Sequence, residues 1–153
     1  MTAKKEIINS QKNLLYTQDY CLWLNQTAQL LQEKNFSKLD LENLIEEIES
    51  LGRNEKRAIE SNLIIVIVHL LKWRYQPEKR SNSWKSSIRE HRRRIQRLLT
   101  DSPSLKNYLP EIFDDCYLEA KKQASDETGL SLIAFPEKCP FSLAESLNED
   151  FIA

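Results

Sequence analysis

His69 and His91 are the only imidazoles in the chain, and imidazole is the side chain best suited to acid–base work or metal binding near neutral pH. His69 also closes a series, Glu55, Asn62 and His69, spaced by seven residues, which sets all three along one edge of a helix. If the segments flanking Pro77 form an antiparallel helical hairpin, residues whose numbers sum to about 159 lie level, and His91 then faces His69. Buried polar groups need partners. The favoured reading is therefore a polar core network of Glu55, Asn62, His69 and His91 that fixes how the helices dock. The sharper alternative is a metal-dependent enzyme at His69 and His91, with a carboxylate completing the ligand set. Against it, two histidines are too few for a three-histidine site, and neither a Glu-x-x-His pair nor an H-E-x-x-H run occurs. No metal and no cofactor is assigned.

A second constellation is cationic. From Lys72 to Arg97, ten Lys and Arg side chains are set against only Glu78 and Glu90, a balance of +8 within a chain whose net charge is -1. Arg89, Arg92, Arg93 and Arg97 form a row on the helix expected over 84–100, and such a row can neutralise phosphates without reading bases. Nucleic-acid backbone binding through these four arginines is thus one functional alternative. Trp73 and Trp84 fall on inward faces, which makes them packing residues rather than base-stacking platforms.

Other chemistries lack their residues. Glu46 and Glu47 point away from the apolar stripe of their helix, so they read as a solvated acidic face rather than an acid–base pair. There is no glycine-rich phosphate loop, no G-x-S-x-G elbow, and no arginine four to six residues before either histidine. Cys21, Cys116 and Cys139 are odd in number and far apart, which fits free thiols in a reducing cytoplasm rather than a disulfide framework.

The elements that must position these residues are all helical. Only two glycines and five prolines occur in 153 residues, which argues against a turn-rich β fold. The 1–13 segment reads as a polar lead-in without the features of a signal peptide. Thr17 or Asp19 can cap a first helix, whose Tyr20, Trp23, Leu24, Thr27, Leu30 and Leu31 share a face, with Asn35 as its stop. Asp40 can cap a long central helix reaching Tyr75. Its stripe of Leu41, Leu44, Ile45, Ile48, Leu51 and Gly52 continues in phase through Ile59, Leu63, Val66, Leu70 and Trp73. A helix of about 35 residues is about 53 Å long, against about 38 Å across for a compact chain of this size. The fold must then be elongated, kinked at Gly52 or paired with another subunit. Leu63 to Leu71 is apolar on nearly every side and belongs at the centre of a bundle, yet falls far short of a membrane span.

Pro77 ends that helix. Ser81 or Ser83 opens the next, and Asp101 or Ser102 opens another with Pro103 at its first position. Pro110 is expected to split off a short first turn, and Gly129 to end the helix. Residues 130–141 form an apolar loop over the core, and Ser142-x-x-Glu145 is a capping box.

Several of these pieces, in this order, resemble the cyanobacterial domain-of-unknown-function family numbered twenty-nine. They are Tyr16-x-x-Asp-Tyr-x-x-Trp23, the block Leu39 to Arg53, HLLKW from His69, Ser83-Trp84, SPSL from Ser102, ETGL from Glu127 and FPEKCPFS from Phe135. The resemblance implies an all-helical fold and a bacterial cytoplasmic setting, and brings no catalytic residues. The expectation is a single all-α domain over 14–151: a bundle of about four main helices around a long central one, plus a short C-terminal helix. Its leading function is that of a non-enzymatic protein-interaction or accessory module with an unknown protein partner or as a homodimer, and with no membrane association.

Overall fold

A computed structural model describes residues 14–153; the polar lead-in lies outside them. Among the described residues there are helices and no strand. After a helical turn over 14–18 come α1 (Tyr20–Gln32), α2 (Leu41–Tyr75), α3 (Asn82–Asp101), α4 (Leu105–Thr128) and α5 (Leu143–Leu147). This is an all-α bundle with a long central helix. The chain falls into two compact units, one ending at Arg53 and one running from Asn54 to Ala153, so the division lies inside α2.

In the first unit Asp19 caps α1 by accepting from the Leu22 N–H at 2.9 Å. The helix stops one residue earlier than expected, because Lys34 takes the left-handed conformation, φ 55, that more often falls to glycine or asparagine. Trp23 and Thr27 are buried, and Leu39 closes the same small core. The indole N–H of Trp23 donates to Asp40 at 3.3 Å, and Asp40 also accepts from the Asn43 amide at 2.7 Å. Tyr16 and Tyr20 both donate to the Glu47 carboxylate, Tyr20 at 2.5 Å. These bonds dock α1 antiparallel on the start of α2.

They also overturn part of the expected core. Tyr20, Leu24 and Leu31 of α1 and Leu41, Ile45, Ile48 and Leu51 of α2 are exposed. The reason is rotational. α2 turns the side bearing Asn43 and Glu47 toward α1, and at about 100° per residue its apolar stripe then faces largely away from that contact. α2 is continuous through Gly52, and that glycine is no point of close approach, because a Cβ placed there would meet nothing within 4 Å.

In the second unit the same stripe is the core. Ile59, Leu63, Val66 and Leu70 are fully buried, as are Ile67, Val68 and Leu71 on the other sides of the helix. Ile88, Ile95 and Leu99 of α3 and Leu105, Leu109, Tyr117, Ala120 and Ala124 of α4 pack round them. Ser81 caps α3, accepting from the Trp84 N–H at 3.3 Å. α4 begins at Leu105 rather than at Pro103, and Pro110 lies inside it without dividing it. At the sixth position the ring forfeits a single backbone bond close to the helix start. Gly129, φ 75, ends α4. The 130–141 loop sends Phe135 and Phe141 into the core, and the Ser142–Glu145 capping box is formed in both directions.

Candidate functional site

The residues that could do chemistry gather in two places on the second unit. The first is the histidine level. His69 and His91 each place Nδ1 2.8 Å from the carbonyl four residues back in their own helix, Ile65 and Ser87 respectively. A carbonyl only accepts, so Nδ1–H donates and Nε2 carries the lone pair in each neutral ring. Burial pushes the His69 pKa down, the bond to Ile65 opposes this, and Lys72 and His91 are close enough to add to the depression. His69 is therefore neutral at physiological pH. Lys72 pairs with Glu127 at 2.7 Å and lies 4.7 Å from the centre of the Trp84 ring. Gln76, buried, donates to the Thr128 carbonyl at 3.3 Å. The described hydrogen bonds of both rings engage Nδ1 alone. Among the described residues no three His, Cys, Asp or Glu side chains gather to hold a metal ion.

Glu55 and Asn62 do not join the histidines. Glu55 is exposed, and the Asn62 amide donates to its own helix, at the Ala58 carbonyl, at 2.7 Å. No hydrogen bond links Glu55, Asn62, His69 and His91 to one another among those described. Glu55 and Asn62 instead border a hollow of about 420 Å³ with Arg93, Arg94, Arg97 and Asp101. Within it the Asn62 Oδ1 is buried and accepts no hydrogen bond.

The second place is the arginine row, which the structure divides. Arg92 is 4% exposed. Its guanidinium donates to the carbonyls of Ser146 at 2.8 Å, Phe151 at 2.8 Å and Glu145 at 3.2 Å. Its inclusion among surface phosphate-binding residues is thus corrected: Arg92 clamps the C-terminal segment, with its donors turned inward. Arg93 and Arg94 share Glu90, at 2.9 and 2.8 Å, and together they pull that carboxyl down to about 2. Arg89 and Arg97 are exposed and form no ion pair among those described. Arg89, Arg93 and Lys85 border a further hollow of about 630 Å³ that Glu149 and Asp150 also line, so this cationic face has anions built in beside it.

Sequence reasoning missed the Arg92 clamp and the tyrosine pair on Glu47. Arg92 could have been suspected, since it stands four residues after Ile88 and three before Ile95 on the apolar side of α3. Tyr16 and Tyr20 are one turn apart, the spacing that lets two hydroxyls reach one carboxylate. That carboxylate stays ionised, lowered by both hydrogen bonds, while the Tyr16 hydroxyl is pushed up to about 12. Cys116 is buried, with its thiol raised to about 12 first by burial, and is no nucleophile at neutral pH. All three cysteines are free.

Fold and side chains together define an all-helical protein among the described residues. The chain belongs to the family described as domain of unknown function DUF29, which matches residues 15–152. No curated protein and no solved structure matches it. Among the described residues no helix is long and apolar enough to cross a membrane.

Proposed function

We propose that the protein is a non-enzymatic protein-interaction or accessory module acting in the cytoplasm. One observation carries this reading. The apolar stripe of α2 is fully buried from Ile59 to Leu70, yet over its first turns Leu41, Ile45, Ile48 and Leu51 are 54–65% exposed. A contiguous apolar surface of that kind marks an interaction site. The inert Cys116 supports the absence of a thiol-based catalytic role, and the three free thiols support the compartment.

The test is affinity capture from the native host with the wild-type chain and with an Ile45→Glu, Ile48→Glu double variant. Loss of bound proteins, further copies of the chain included, is expected in the variant. Identical sets of bound proteins would sink the reading.

Arg89 and Arg97, exposed and without ion pairs, favour a second and weaker reading as a phosphate-backbone contact. Charge reversal at both should then abolish salt-sensitive binding to a nucleic-acid duplex. Absence of binding by the wild-type chain at low salt would end that reading.

A further inference from the structure

The exposed stripe has a geometry that selects its occupant. Leu41, Ile45, Ile48 and Gly52 are spaced by four, three and four residues, a pattern that reads the same in either direction. Turned end for end about a point between Ile45 and Ile48, a second copy of this helix sets Ile45 against Ile48 and Leu41 against Gly52. The space over Gly52 is open, with nothing within 4 Å of a Cβ built there, so it can receive a leucine side chain from outside.

The surface is also of the right size. Leu41, Ile45, Ile48 and Leu51 of α2, 54–65% exposed, together offer roughly 400 Å² of apolar surface, within the range of the largest patches on single proteins. A stable interface takes about 800 Å² from each partner, about three-fifths of it apolar, or roughly the same figure. Glu42, Glu46 and Glu49 beside the stripe, two of them held by Arg53 at 2.6 and 3.9 Å, supply the polar rim that such interfaces have.

We infer that this face is covered by a second copy of the chain, in a two-fold antiparallel pairing of α2 centred between Ile45 and Ile48, with Leu41 of each copy seated over Gly52 of the other. This rests on the interaction-module reading and names its partner. A two-fold contact uses the same patch on both copies, so each substitution acts twice.

Sedimentation equilibrium of the purified full-length chain up to about 100 µM is the test. The wild type is expected to dimerise. Ile48→Glu, which places two carboxylates at the axis, should raise the dissociation constant by about 100-fold or more. Gly52→Leu should also weaken the dimer, although the separate chain has room for the side chain and its circular dichroism and melting should show it folded. Single Leu41→Cys and Gly52→Cys chains in a Cys21→Ser background, mixed and oxidised, should cross-link 41 to 52 in preference to 41 to 41. A wild type that stays monomeric overturns the inference, as does a dimer unaffected by both Ile48→Glu and Gly52→Leu, or preferential 41 to 41 cross-linking. If the pure protein is monomeric while capture from the host still depends on Ile45 and Ile48, the second copy falls and the interaction reading stands. If neither depends on them, both fall.

Discussion

Arg92 shows how much a single side chain can hold. Replacing it with alanine removes a buried guanidinium and leaves three carbonyls without their donor. A loss of about 3 kcal/mol is expected, measured by denaturant unfolding, with the exchange protection of residues 145–151 failing first. Arg92→Lys should rescue little, because an ammonium cannot reproduce the planar fork. His69 gives a pH signature. Its folded pKa lies below the ordinary value of about 6.5, so the unfolded chain binds more protons as pH falls through that value. Stability is full above about 6.5 and declines below it toward the folded pKa. His69→Gln should flatten that part of a plot of melting temperature against pH, and an unchanged slope would place the acid sensitivity elsewhere. The levelling of His69 with His91 was accessible from helix spacing and the position of Pro77. The direction of the Arg92 side chain was not, because arginine is amphipathic and its place on a helix wheel does not say whether its donors reach solvent or a passing loop.

At the scale of the element, α2 is one helix with two environments. Leu63→Ala, at a fully buried position, should cost about 2–5 kcal/mol. Ile48→Ala, on the same stripe, should change the stability of the separate chain by less than about 0.5 kcal/mol, which thermal melts of the two variants at high dilution will compare. In the first unit Trp23→Ala should remove about 3–5 kcal/mol and undock α1, seen as loss of exchange protection over 20–32 while the second unit stays protected. Helical periodicity located every main helix, because apolar spacing and caps such as Asp19, Ser81 and the Ser142–Glu145 box are local signals. It could not say what each stretch of a stripe packs against. The docking of α1 joins the burial of Trp23 to hydrogen bonds from Tyr16, Tyr20 and Trp23 to residues far along the chain, and with that side of α2 turned to α1, Leu41 to Leu51 stay outward.

Across the whole molecule local contacts take up part of the charge separation. Lys72 has Glu127, and Arg93 and Arg94 have Glu90, while Arg92 is spent on carbonyls. Arg74, Lys79, Arg80, Lys85, Arg89 and Arg97 are exposed and form no ion pair among those described. If a nucleic-acid duplex binds, the slope of log affinity against log salt should correspond to about six phosphates at most rather than to ten, and should fall by about two when Arg89 and Arg97 are replaced. Net charge can be counted from a sequence. Which cations remain unpaired depends on three-residue and four-residue offsets along a helix and on contacts such as Lys72 to Glu127 that only the fold brings together.

The Arg92 clamp has a consequence for how the C-terminal segment can vary. All three of its acceptors are main-chain carbonyls, at Glu145, Ser146 and Phe151, so the guanidinium reads the path of the chain, and of the side chains there only the Glu149 carboxylate acts on its charge. What it measures is a ruler length: the stretch from Ser146 to Phe151 must return to the same fork. Substitution at the exposed Asp150 should be nearly silent, whereas inserting or deleting one residue between Asn148 and Asp150 should release the segment as thoroughly as losing Arg92 itself.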